Sequence, residues 1–354
     1  MVTPAERPPI GIGRRLLFTV LAVAGVFVIL ESGLRLAGFR HPTTVESMAF
    51  TFPIDDYNRG QPVPFLDRDD VLFWKLRPSV LDHNSKGTVG PEFSVAKPPG
   101  RFRIIALGDS CTYFGPEPYP QRLQARLNAA QPGRFEVINA GVIGYTSYQG
   151  LQRLTHEVAS WSADLVIAYF GWNDHWLARG YSDREQPAHQ GFLPGLVRTL
   201  DRLRVFQGLE MIVGRRASVT GPARYRVSLE DYGNNLREMK RATDAMGATL
   251  WLITAPHAFD LGIPKYLTTS GEVSEPSGLI ALHDSYNEQV RQIARELGIT
   301  VVDLDQIIST KNKAALFIED HIHLSDGGRT LAADTLFEAL ASKGLVNAPP
   351  VGRR

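Results

Sequence analysis

The stretch Arg101–Gly115, RFRIIALGDSCTYFG, decides how the rest of this 354-residue chain is read. Phe102 to Leu107 is a short apolar, β-rich run with the length and composition of a strand buried on both faces. It breaks off at Gly108-Asp109-Ser110, small and polar residues that turn the chain, and Tyr119 to Ala130 then reads as a helix. A serine between the carboxyl end of a parallel strand and the start of a helix sits where open α/β sheets bind ligands. Its backbone N–H is also placed to face an anion. Ser110 is therefore read as a candidate nucleophile.

Outward from that strand the same alternation repeats. Phe135–Asn139, Asp164–Phe170, Ala248–Thr254 and Thr300–Leu304 read as four further strands. Helices are expected at Ser147–Trp161, at Ser228–Met246 behind a Ser228-x-x-Asp231 cap, at Leu279–Leu297 and at Asp326–Ser342. In Leu279–Leu297, residues Leu279, Leu282, Tyr286, Val290, Ile293 and Leu297 recur at spacings of three and four, one apolar face of a helix. Five strands alternating with helices predict an α/β fold: a doubly wound parallel sheet covered on both sides. Residues 178–226 interrupt the alternation after the third strand, with a helix expected at Leu196–Val213 between two loops. That insertion reads equally as a lid or as a surface excursion. The segment 39–96 lacks periodicity and reads as an extended lead-in, with one short strand near Val71–Trp74. Residues 347–354 read as a frayed tail, which leaves 97–346 as the main domain.

Composition narrows the function classes. The chain is 44% hydrophobic and 21% charged, ordinary for a protein with a large core. A formal net charge of +1 gives no general attraction to nucleic acid. Cys111 is the only cysteine, which excludes an intrachain disulfide and a cysteine zinc site. The His, Asp and Glu residues show no ligand spacing that calls for a metal, so neither metal nor cofactor is expected. At the amino terminus, residues 16–38 are almost wholly apolar or small, and Glu31 and Arg35 interrupt them at an i,i+4 spacing that lets them pair. The length approaches the ~20 residues a bilayer core needs. An uncleaved membrane anchor is the preferred reading, since the run continues past Ala22-Val23-Ala24 without a cleavage break. A removed signal peptide and a buried soluble helix are the alternatives. Arg7, Arg14 and Arg15 precede the run, so residues 1–15 are expected to stay in the cytoplasm and the main domain to be exported.

Gly-Asp-Ser alone is weak, but similar small polar blocks end the other strands. Asn139-Ala140-Gly141 follows the second strand, Gly171-Trp172-Asn173-Asp174 follows the third, and Asp320-His321-Ile322-His323 precedes the last helix. In a doubly wound sheet these loops converge on one crevice. Ser110 needs a base, His323 is a candidate for it, and Asp320 three residues earlier can hold the other ring nitrogen if one helical turn links them. His321 is the alternative base. Trp172, His175, Trp176 and His257 lie near strand ends and could line an acyl or sugar pocket, with core packing the equal rival. Asp174 reads as a brace for its loop, Ser325 as the cap of the last helix, and Cys111 as a core residue.

With these blocks in hand, the chain resembles the SGNH hydrolase superfamily, the GDSL-type esterases and lipases, over about residues 97–340. The matching residues are Ser110 in GDS, Gly141 in NAGVIGY, Asn173 in GWND and His323 in DHIHLSDGG. Cys111-Thr112 stand where the family often has leucine. The resemblance implies a three-layer α/β/α, flavodoxin-like fold. It also implies a serine esterase working through an acyl-enzyme, with a Ser110–His323–Asp320 triad and an oxyanion hole from Ser110, Gly141 and Asn173. The expected substrate is a small-molecule or glycan ester, and no particular protein partner is indicated. The rival readings are an O-acyltransferase or deacetylase of a cell-envelope glycan using the same triad, and a non-catalytic envelope binding domain.

Overall fold

Strand β3 (Phe102–Gly108) is buried along its whole length after the first residue, and it hydrogen-bonds on both sides. The computed structural model describes residues 11–39, 58, 61–178, 182–186, 200, 202–214, 224–269, 273 and 275–346. The chain forms two units, the larger from residues 50–187 and 222–354, the smaller from 1–49 and 188–221.

In the larger unit β3 pairs in parallel with β4 (Phe135–Gly141) and with β5 (Leu165–Tyr169). The sheet continues through β6 (Thr249–Ile253) to β7 (Thr300–Val302), in the order β4-β3-β5-β6-β7. All four pairings are parallel, as the alternating pattern predicts. Along each strand the side chains alternate between two cores. Ile105, Leu107, Val166, Ala168, Leu250 and Leu252 enter one, while Ile104, Ala106, Leu165, Ile167, Trp251 and Ile253 enter the other. Helices α4 (Ser147–His156), α6 (Leu229–Ala245) and α7 (Leu279–Leu297) cover the first face through Leu154, Leu236, Met239, Tyr286, Val290 and Ile293. Helices α3 (Tyr119–Ala130) and α8 (Asp326–Ser342) cover the second through Leu123, Leu127, Leu336 and Leu340. Ser228 caps α6 by accepting the Asp231 N–H at 3.1 Å. The strand order reverses at β3, so the crevice of this three-layer fold opens between the carboxyl ends of β3 and β5.

The lead-in is more ordered than its sequence suggests. Residues Leu66–Asp69 (β1) and Phe73–Leu76 (β2) form an antiparallel hairpin, and Phe65, Leu66, Leu72, Phe73, Trp74 and Leu76 are buried in the first core. Trp74 Nε1 donates to the Ile143 carbonyl at 2.9 Å, and Tyr145 Oη donates to the Trp74 carbonyl at 2.6 Å. The segment thus props the loop that follows β4. A short strand pair with no long period gives little sequence signal beyond Val71–Trp74.

The insertion leaves and re-enters through a closed stem. Leu177 bridges Tyr225, the Arg226 N–H donates to the Trp176 carbonyl at 2.8 Å, and the Asp183 N–H donates to the Arg226 carbonyl at 2.8 Å. The Arg226 and Asp183 side chains pair at 2.9 Å, both almost fully buried. Arg226 also donates to Gln149 Oε1 and to the Gly144 carbonyl, each at 2.8 Å. Arg226→Ala should therefore destabilise the larger unit by about 3–5 kcal/mol, because Asp183 would be left charged and buried. Urea unfolding measures this, and a loss below about 1 kcal/mol would show the pair to be dispensable.

The smaller unit holds α1 (Ile12–Leu36) and α5 (Arg204–Gly214). No residue of α1 is buried, and it is long and apolar enough to cross a membrane. Arg35 Nε and Glu31 Oε1 pair at 2.7 Å, as their spacing predicts. The remainder of the helix expected at Leu196–Val213, the loops around it, residues 1–10, most of 40–60 and the tail lie outside the described residues.

Candidate active site

Beyond β3 the chain turns into a single helical turn, Ser110–Tyr113 (α2), whose cap is Asp109. The Asp109 carboxylate accepts the Cys111 N–H at 2.8 Å, and the N–H of Ser110 itself meets no acceptor among the described residues. Ser110 Oγ lies 2.7 Å from His323 Nε2. On the other side of the ring, His323 Nδ1 lies 2.5 Å from Asp320 Oδ2. Asp320 Oδ1 meanwhile accepts the backbone N–H groups of Ile322 and His323 at 2.9 and 2.8 Å. Burial acts to raise the Asp320 pKa, but the hydrogen bonds from the His323 ring and these two N–H groups outweigh it and hold the carboxyl below its ordinary value. The edge of the His323 ring meets Phe114, with centroids 5.1 Å apart.

The Asp320–His323 proximity does not come from a helical turn. The segment is a loop closed by the Phe317–Leu324 bridge, with His321 in the left-handed region at φ 60. That reversal sends the His321 ring to the Gly262 carbonyl, so His323 is the imidazole beside Ser110. Ser325 begins α8, accepting the Gly328 N–H at 3.3 Å and donating to the Ala315 carbonyl at 2.6 Å, which fixes the far end of the loop.

Asn173 follows β5 and reaches back into the same place. Its Nδ2 donates to the Tyr145 carbonyl at 3.0 Å and, more loosely, to Asp109 Oδ2 at 3.3 Å. Asp174 is fully buried: Oδ1 accepts the Ser147 N–H at 2.9 Å and its hydroxyl at 2.5 Å, and Oδ2 accepts the Gly171 N–H at 3.2 Å. It braces the Gly171–Asn173 turn against α4.

Gly141 does not present a free amide. Its N–H donates to Asn139 Oδ1 at 3.0 Å. A side chain there would place Cβ 2.7 Å from the Tyr113 nitrogen, so the glycine serves the contact between β4 and α2. Gly144, three residues on, has φ 77, and its N–H meets no acceptor among the described residues. Its neighbour Tyr145 is the residue whose carbonyl holds Asn173. The second glycine of NAGVIGY was the available signal for it.

The aromatic candidates are packed inward. Trp172 is stacked on His283 with centroids 3.9 Å apart, and His175 Nε2 lies 2.9 Å from His283 Nδ1. Trp172 and His175 are each 1% exposed, and Trp176 joins them in the second core. Burial holds the His175 pKa down to about 3, so the ring is neutral. Trp172 and Trp176 pack in the second core, and His175 borders only a small cavity of about 70 Å³ with Tyr225, Leu279 and Leu282. His257 is 7% exposed, accepts the Phe259 N–H on Nδ1 and faces Asp284 at 3.5 Å. Cys111 is buried, and burial pushes its thiol pKa well up.

Burial raises the Asp174 pKa to about 7 and the Asp109 pKa to about 6, against the hydrogen bonds each accepts. A carboxyl whose folded pKa exceeds its unfolded value of 3.8 binds more protons folded than unfolded, so its contribution falls as pH rises through that window. The stability of the protein relative to Asp174→Asn should therefore decline between about pH 4 and pH 7 and flatten above. Urea midpoints across that range test this, and a pH-independent difference would refute it.

The profile of the GDSL-like Lipase/Acylhydrolase family matches residues 106–331. No curated protein matches the chain. Among solved structures, a lipase/acylhydrolase from Enterococcus faecalis is 17% identical, with 69% of this chain and 97% of that one covered at a TM-score of 0.46. A catalytic mutant of an acetylxylan esterase from Geobacillus stearothermophilus is 21% identical over 67% of this chain and 93% of its own, with a TM-score of 0.43. The matched span starts in the strand that delivers Ser110 and ends in the helix that follows His323, and on that match the chain belongs to the GDSL-like lipase/acylhydrolase family, hydrolases of ester bonds.

Proposed function

We propose that the protein cleaves an ester through an acyl-enzyme on Ser110, with His323 as general base and acid and Asp320 as its orienting partner. The observation that carries this is the unbroken relay from Ser110 Oγ through the His323 ring to Asp320, at 2.7 and 2.5 Å. A serine hydroxyl is a poor nucleophile without such a base. In the first half-reaction Ser110 Oγ attacks the carbonyl carbon while its proton passes to His323 Nε2. The alkoxide then leaves with that proton. In the second, water attacks the acyl group, gives its proton to the same nitrogen, and the acid departs as Ser110 recovers the proton.

The oxyanion is read as held by the N–H groups of Ser110 and Gly144 together with Asn173 Nδ2. This replaces Gly141 with Gly144, because the Gly141 N–H is already taken by Asn139. The looser of the two Asn173 bonds, to Asp109, is the one an oxyanion would share. The substrate is a small-molecule or glycan ester. The unburied apolar α1, with Arg7, Arg14 and Arg15 ahead of its apolar run, supports an anchored protein whose larger unit lies on the exported side.

A fluorophosphonate probe tests the reading directly. It should label the native protein at Ser110 and no other residue, and labelling should vanish on unfolding in urea. Absence of label on the folded protein would favour a non-catalytic binding role.

A further inference from the structure

Helix α1 spans 25 residues, about 37 Å at 1.5 Å per residue, and its only charged pair, Glu31 and Arg35, falls within its last two turns. Both groups hold the start of the second helix of the smaller unit, Glu31 at its first turn and Arg35 at the residue two before it. Glu31 Oε2 accepts the Val205 N–H at 3.0 Å, and Arg35 Nη2 donates to the Arg202 carbonyl at 3.0 Å. Glu31 therefore caps the start of α5, where unpaired N–H groups and the helix dipole favour an anion. Past α1 the chain turns at Gly38, φ 66, and brings the Phe39 ring against Gly208 of α5. Three contacts thus fasten α5 to the carboxyl end of α1.

One face of α5 is exposed among the described residues. Leu209 and Ile212, an i,i+3 pair on one face, are 56% and 61% exposed, whereas Gln207 is buried. The sequence 198–216 that contains the helix carries Arg198, Arg202, Arg204, Arg215 and Arg216 against Asp201 and Glu210. We propose that α5 is a second membrane contact: it rests on the surface of a phospholipid bilayer with Leu209 and Ile212 in the acyl boundary, and the net positive charge of the sequence 198–216 favours anionic headgroups. This rests on the anchor reading of α1. A span longer than the ~30 Å hydrocarbon core places its last turns at headgroup level, and a helix fastened there meets the interface. Arginines near anionic lipid are held there by the negative surface potential. The same clasp explains why Glu31 and Arg35 are tolerated near the end of an apolar run, each being paired with the other and with α5.

The test uses the full chain in proteoliposomes with the photoreactive residue p-benzoylphenylalanine placed in turn at Val26, Leu209 and Ile212. Val26 on α1 is 58% exposed and reports the anchor alone. Phospholipid adducts at all three positions are expected, with the yield at Leu209 and Ile212, but not at Val26, rising several-fold when phosphatidylglycerol is added to phosphatidylcholine. A lipid adduct at Val26 with none at Leu209 and Ile212 would overturn the proposal, as would adducts there to a second copy of the chain. Unchanged yields with phosphatidylglycerol would overturn its electrostatic part. Loss of the Val26 adduct as well would instead reject the anchor.

Discussion

Ser110→Ala is expected to lower turnover of an activated acetyl ester by at least about 10⁴-fold while leaving the fold intact. The size follows from the absence of a substitute. The neighbouring thiol of Cys111 is buried and its pKa is driven well up, so it offers no thiolate. What would remain is binding and the oxyanion donors, which hold the substrate without attacking it. The variant loses one hydrogen bond, to His323, and should change the unfolding free energy by only about 1 kcal/mol. Steady-state hydrolysis alongside a urea melt makes the measurement. Retention of more than about 1% activity in a folded variant would remove Ser110 from the role.

Asp320→Asn should cost about 10⁴-fold in kcat with little change in KM. Asp320 Oδ1 already accepts two backbone N–H groups, which leaves Oδ2 for the His323 ring. An asparagine that keeps its oxygen on those two groups turns its NH₂ toward His323 Nδ1. The ring must then accept there and carry its proton on Nε2, facing Ser110, the tautomer that cannot take the hydroxyl proton. The variant should also lose acid sensitivity. Because the folded Asp320 pKa lies below its unfolded value, its stabilisation is present above about pH 4 and fades as pH falls further. A decrease in kcat below about tenfold would show that Asp320 does not orient the base.

Much of this was legible in the sequence, and the exceptions share a cause. Tyr119–Ala130, Leu279–Leu297 and Asp326–Ser342 are helices over the expected residues because long amphipathic periods and caps are local signals. The five strands were likewise marked by short apolar runs between turn residues. The approach of Ser110 and His323, 213 positions apart, followed from the topology of a doubly wound sheet. What was not legible depends on which neighbour captures a group. A glycine signals an unhindered backbone but not where its N–H points, and Asn139 takes the Gly141 amide while leaving that of Gly144. Trp172 and His175 stand at a strand end, where an aromatic can face either a pocket or the core. The packing of His283 from α7, more than 100 residues away, decides for the core. Of the hairpin at residues 66–76 only a strand near Val71–Trp74 is marked in the sequence, because the order of the rest comes from Trp74 docking on Ile143 and Tyr145.

The closed stem at Leu177–Tyr225 bears on how such an enzyme diversifies. Its hydrogen bonds and the Arg226–Asp183 pair are satisfied within the sheet-bearing unit, so the stem closes on its own contacts. Doubling the length of a loop costs only about 0.6 kcal/mol in closure entropy. A change in the length of the chain between the two sides of this stem should therefore cost the unit that carries Ser110 and His323 little.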